Sequence, residues 1–312
     1  MDIEKLLYII QDASELGLIW AIMALGVFIS YRVLDFADLT AEGTITLGGA
    51  IVSSLILKDV SPYLATLLAF VGGLLAGIIT GVLHTKFKIP AIVAGIITMT
   101  GLFSINLRIM GKASLYLSDK DTVYTFLVDV IKDNNSVAKI LTTFVVLILI
   151  TLGMYWFFGT EIGMSLRSTG MNQKMSRAQG INTNAMIILG LALSNGLVAV
   201  CGALIAQSTK SANMDVGKGT IVIGLASIIL GEVLFGKRTF KNWLIAVILG
   251  SIAYQLLAGT AIALGLNAND LKLLQAILIA IILSLPIIKP LYKNYLAKRR
   301  GGLSHGQNWK CN

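Results

Sequence analysis

Residues 231–238, GEVLFGKR, match the start of a phosphate-binding loop, G-x-x-x-x-G-K, in which backbone N–H groups cradle phosphates. Arg238 follows the lysine where a serine or threonine would hold Mg²⁺, and apolar runs flank the stretch. It reads as a turn, so the chain has no nucleotide-hydrolysing site of its own. The two histidines, His84 and His305, lie far apart in basic surroundings, so no histidine cluster can form. Cys201 in an apolar run and Cys311 in the tail are too isolated to pair or to make a metal site. With no nucleophile beside a base and no cofactor implied, the chain is not an enzyme on its own.

Polar residues within or beside apolar runs carry more information, because such groups are expensive in a membrane and turn toward a bundle interior or a cavity. RVLDFADLTAEGT, residues 32–44, gathers Arg32, Asp35, Asp38, Thr40 and Glu42 just before Gly43. It fits a pathway-lining turn, and equally an ordinary cytoplasmic loop whose acids pair with Arg32. Asn106, Arg108, Asn195 and Gln255 lie in apolar runs, where bonding between helices competes with contact to a solute. Residues 43–50, GTITLGGA, are echoed at 219–226, GTIVIGLA; Asp38 precedes one and Asp215 the other. The echo is either chance in a glycine-rich background or a trace of an inverted repeat, which would place a transport pathway at broken helices near its axis. On the second reading Asp38, Thr40, Glu42, Gly43, Asn195, Asp215 and Gly219 line that pathway.

The elements that must position these residues are transmembrane. The composition is 56% hydrophobic and 13% charged with a mean hydropathy of +0.81, against about 25% charged in soluble domains. An all-α polytopic membrane protein follows. Apolar runs place nine crossings near 16–34, 44–57, 63–83, 91–110, 138–158, 184–206, 220–235, 243–264 and 271–288, within a range of eight to ten. The second and seventh are short, which predicts half-helices or re-entrant pieces. One domain covers residues 1–312: an N-terminal segment 1–15, a bundle 16–290 and a basic tail 291–312. The acidic N-terminus lacks the features of a removable signal peptide.

The net charge of +9 is scattered over short loops, so it points to retention of loops in the cytoplasm and not to nucleic acid. Nine crossings divide the loops into two sets. Arg32, 84–90, 159–183, 236–242 and the tail from Lys289 hold 15 of the 25 Lys and Arg, and this side, counting Asp35, Asp38, Glu42, Glu161 and Glu232, holds only 5 of the 16 Asp and Glu. That set is expected in the cytoplasm with the C-terminus, and the N-terminus outside.

The expected cytoplasmic stretch EIGMSLRSTGMNQKMSRAQGIN, residues 161–182, is polar, basic and punctuated by glycine. Residues 171–179 fit about two helical turns bounded by Gly170 and Gly180, a short helix with flexible ends. Met171 and Met175 would share its face at i,i+4, and Lys174 and Arg177 would meet acids on a partner.

Residues 159–206 resemble the corresponding region of the branched-chain amino acid and ribose-type ABC importer permeases, through Gly163, Leu166, Arg167, Gly170, Ala178, Gly180 and Ile181 and the following ALSNGLVAVCGALIA. DLTAEGTITLGGA, residues 38–50, is similar to the family's early glycine-rich segment. Gly231-Glu232 departs from the family's glycine pair, with Glu232 placed to meet Lys237 or Arg238. The resemblance spans roughly 16–290 and is nearest the single-permease branch linked to amino acid uptake of the tryptophan and tyrosine kind. It implies a permease in the cytoplasmic membrane, paired with a second copy, two ATPase subunits that carry ATP and Mg²⁺, and an extracytoplasmic binding protein that delivers a small solute. It further implies that the 159–182 loop is an ATPase-coupling segment, with Arg167, Gly170, Met171, Lys174, Met175, Arg177 and Gly180 at the contact. A sugar or nucleoside importer of the same superfamily is the nearest alternative. An ion-coupled transporter would need carboxylates deep in its spans, and a scaffold without transport would not need broken ones.

Overall fold

In the computed structural model, residues 3–118, 120–125, 128, 135–263, 273, 276, 277, 280 and 284 are described. The expected crossing at 271–288 and the basic tail lie outside that description, apart from single positions. Helix α1, Ile3–Phe28, runs into a π-helical turn, Ile29–Val33. It is followed by α2 (Thr40–Leu57), α3 (Pro62–Thr85), α4 (Ala91–Met110) and α5 (Asn135–Gly159). Two short helices, α6 (Glu161–Met171) and α7 (Gln173–Ala178), lead to α8 (Thr183–Ser208). A 3₁₀ turn, Met214–Gly217, precedes α9 (Thr220–Phe235), and α10 covers Phe240–Ala263.

Seven of these helices are long and apolar enough to cross a bilayer, and α9 is a shorter apolar helix. All eight coincide with expected crossings. The protein is therefore an all-α polytopic membrane protein; seven spans and one short helix are described.

Two layers are distinguished by burial. In the most apolar stretches of α1, α2 and α8, 78%, 72% and 78% of residues are buried, against 33%, 28% and 28% in α3, α4 and α5. The second group turns Leu67, Leu75, Ile96, Phe103, Leu149 and Trp156 outward, as an apolar belt requires where lipid is the solvent.

Small residues set the closeness of the inner layer. Gly73, Gly77 and Gly81 recur every fourth residue along one face of α3, and all meet α8. A Cβ on Gly77 would land on the Leu191 carbonyl oxygen, and one on Gly73 on that of Asn195. This is the small-x-x-x-small device that lets backbones touch where burial against lipid gives no hydrophobic drive.

Chain breaks occur where the local chemistry stops a helix. Pro62 opens α3 at its first turn and Pro90 precedes α4, positions where proline's missing N–H costs nothing. Gly111, with φ of 68°, ends α4 in the left-handed conformation that glycine adopts most easily. At that end of the bundle Ser114–Tyr116 pairs antiparallel with Ser211–Asn213, tying two loops together. The loops 34–39, 86–90, 160–182 and 236–239 gather at the other end, termed here the basic end.

Candidate functional site: two helix starts and a seated loop

α2 does not begin at the surface. Thr40 Oγ1 lies 2.8 Å from Thr80 Oγ1, which reaches Thr98 Oγ1 at 2.9 Å. Thr80 is five residues before the end of α3, and Thr98 seven residues into α4. At 1.5 Å per residue, α2 starts roughly 10 Å inside the ends of its neighbours. Residues 34–39 descend to that depth from the end of α1.

Asp38, 3% exposed, closes this start. Its Oδ1 accepts from the Thr40 N–H at 2.9 Å, which meets one of the unpaired donors at a helix N-terminus and places an anion at the positive end of the dipole. Its Oδ2 accepts from Asn195 Nδ2 at 2.6 Å, and Asn195 Oδ1 accepts from Thr44 Oγ1 at 2.8 Å. Arg32 does not take part. It pairs instead with Glu232 at 2.5 Å, and Trp243 Nε1 donates to the other Glu232 oxygen at 2.9 Å. The expected partners of Glu232, Lys237 and Arg238, are displaced because the π turn carries Arg32 onto α9. Asp38 therefore belongs to a closed polar cluster and not to an acid–arginine loop.

The second start, that of α9, reaches the first. Gly219 has φ of 81° and stands before Thr220. Its N–H donates to Glu42 Oε1 at 3.1 Å, and the Ile221 N–H turns to the same carboxylate. A Cβ on Gly217 would collide with the Glu42 carbonyl oxygen. Glu42 thus supplies from α2 the anion that caps α9. Glu42, Gly43, Thr46, Met99, Thr100, Phe103, Asn106, Met214, Gly217 and Lys218 line a pocket of about 190 Å³. Asn106 Nδ2 donates to the Gly43 carbonyl at 3.1 Å, so its bond between helices is present, while Asn106 Oδ1 has no partner.

The residues expected along a pathway therefore divide. Asp38, Thr40 and Asn195 form the closed cluster; Glu42, Gly43 and Gly219 sit at or beside the pocket; Asp215 stands on the surface, bound to Lys218 at 2.5 Å. For Asn106 the sequence offers both bonding between helices and contact to a solute, and no local signal separates the two.

The 161–182 segment is two helices and not one. Asn172 takes extended backbone angles, φ −158° and ψ 99°, and its Oδ1 accepts from the Met175 N–H at 3.0 Å. That cap restarts the helix, so Met171 ends α6 and Met175 lies in α7. The expected shared i,i+4 face is not present, although both methionines are exposed, at 90% and 60%. Gly180, φ 84°, ends α7, and the Ile181 N–H returns to the Ser176 carbonyl at 3.0 Å. Gly170 is no flexible end. It lies within α6, where a Cβ would fall on the Val33 carbonyl oxygen. Leu34 beside it reaches Gly190 of α8.

Internal contacts hold two of the three cations expected to face a partner. The Arg167 guanidinium lies 4.8 Å over the Phe240 ring, and Arg177 Nε donates to Thr183 Oγ1 at 2.6 Å. Lys174 is exposed. The segment rests on the 33–34 turn, four residues before Asp38, and presents methionine outward. Among the described residues no group of three or more His, Cys, Asp or Glu could hold a metal ion.

The chain matches a family model across residues 9–284, described as the permease component of the branched-chain amino acid transport system. The chain belongs to that family. It is a permease of an ABC-type transport system. It is 42% identical over 263 residues to a tyrosine transport system permease protein of Clostridioides difficile, covering 84% of this chain and 86% of the relative. An uncharacterized protein of Rickettsia prowazekii is 30% identical, covering 88% and 97%. A ribose import permease protein of Haemophilus influenzae is 25% identical over 80% and 76%. No solved structure matches.

Proposed function

We propose that this permease is the membrane subunit of an ATP-driven importer of an aromatic amino acid, tyrosine or a close analogue. It works in the cytoplasmic membrane as a homodimer, with two ATPase subunits on its basic end and a binding protein delivering solute to the other. The observation that carries the cargo class is the 42% identity over most of both chains to a tyrosine permease, against 25% to a ribose permease.

The seated loop supports the coupling role. Met171 and Met175 offer flexible thioethers to a groove on a partner. Gly170 transmits displacement without slack, since its backbone already touches Val33. A push on α6 moves the 33–34 turn, and that turn leads to Asp38 and the start of α2. Glu42 on α2 bears on the start of α9, so both broken helices are reached from one seat.

The test changes the two exposed methionines, which make no core contact: Met171→Asp with Met175→Asp in the intact transporter. Normal insertion, lost ATPase association and lost uptake of radiolabelled tyrosine are expected. Wild-type uptake in that variant would reduce the segment to a connector, and accumulation of ribose but not tyrosine by the unaltered transporter would replace the cargo.

A further inference from the structure

We propose that the pocket between α2, α4 and the 214–218 turn is a station for the ammonium group of an amino acid, held by Glu42. The idea rests on the importer reading, which supplies the cargo, and adds that the permease itself reads the charge of what passes.

The pocket has an excess of acceptors. As a carboxylate Glu42 only accepts, and its contacts from Gly219 and Ile221 leave lone pairs unused. Asn106, 1% exposed, is part of the wall, its amide nitrogen held by the Gly43 carbonyl at 3.1 Å. The Thr46 hydroxyl spends its proton on the Glu42 carbonyl at 3.3 Å, leaving only acceptor capacity.

Charge selects an ammonium over a sugar hydroxyl. Glu42 makes no ion pair among the described residues. The same carboxylate occupies the start of α9, where a ligand carboxylate would otherwise bind. A cation there gains from a carboxylate whose surroundings, Met99, Phe103 and Met214, have low polarity.

An inorganic cation is a poor fit, since hard cations want six or more oxygens, whereas these walls suit an apolar side chain. The volume, about 190 Å³, holds roughly six waters at ~30 Å³ each, the scale of one amino acid. Lys218 stands at the rim, and its exposed pair with Asp215 is weak enough to open toward a ligand carboxylate.

The experiment uses the full-length chain in lipid nanodiscs, with saturation-transfer NMR read against empty nanodiscs. The probes are L-tyrosine, tyramine, which keeps the ammonium alone, and 3-(4-hydroxyphenyl)propionate, which keeps the carboxylate alone. Tyrosine and tyramine are expected to give signal and the propionate none. Glu42→Gln keeps an acceptor for Gly219 and should weaken both by roughly tenfold, the loss of one charged hydrogen bond.

Equal signals from tyramine and the propionate, no signal from any probe, or unchanged binding in Glu42→Gln would overturn the assignment. If Glu42→Gln fails to insert, the wild-type comparison decides alone. A transporter that recruits ATPase and carries tyrosine but ignores tyramine loses only the pocket. Tyramine binding without ATPase recruitment sinks the importer reading and leaves the pocket standing.

Discussion

The eight-residue echo begins three residues inside α2 and one residue before α9, and the two helix starts are finished differently. α2 is capped by its own acid, Asp38, two residues before Thr40 and locked to Asn195. The equivalent acid before α9, Asp215, is on the surface, and that start is capped by Glu42 from the other element. The echoed motif therefore fixes neither the residue at which the helix starts nor which carboxylate attends the start. One start is sealed by local chemistry. The other depends on α2 staying in place, so it is the one that α2 movement can alter.

The comparison breaks most sharply at Asp38. Asp38→Ala removes the acceptor for the Thr40 N–H and for Asn195 Nδ2 in a site closed to water. Each buried donor left alone costs about 1–3 kcal/mol, so a loss of about 2–4 kcal/mol is expected. Thermal or denaturant unfolding in detergent checks it. A loss below about 1 kcal/mol would mean water reaches the cluster, and the contrast between a sealed and a dependent start would go.

Much of this was legible in the sequence, and the boundary is physical. The positions of eight helices followed from apolar runs, because a bilayer demands length and leaves no room for compensation. Pairing was not legible. Asp38 and Asn195 are 157 positions apart, and Arg32 and Glu232 are 200 apart, so no local pattern links them. α2 begins at Thr40, earlier than the apolar run at 44, because the cap and the threonine ladder support polar residues inside the bundle. The break at Asn172 was missed for a related reason. MNQKMSRAQ has ordinary helical composition, and the capping tendency of Asn172, the one local signal for a break, is common to many residues inside helices. The glycine ladder at 73, 77 and 81 is a sequence signal that could have predicted the tight α3–α8 contact.

A smaller effect tests the dependent start. Glu42→Gln preserves the acceptor for Gly219 and removes no ion pair, so its cost in stability is expected below about 1 kcal/mol by the same unfolding measurement. Its effect on transport is expected to be far larger than its effect on the fold, the reverse of Asp38→Ala. Equal losses of stability in the two variants would make the two starts alike after all.

The smallest effect belongs to Asp215, and it decides whether the echo between the repeats is functional at that position. The Asp215–Lys218 pair has both side chains about two-thirds exposed, so solvent and salt screen it and the geometry costs side-chain entropy. Asp215→Ala is expected to change stability by less than about 0.5 kcal/mol. Freeing Lys218 should also leave it more available at the pocket rim, so tyrosine binding should hold or rise slightly. A marked loss of binding in Asp215→Ala would mean that this acid orients the lysine instead of competing for it. The two aspartates would then be partners in one task, and the asymmetry between the helix starts would be confined to how each is buried.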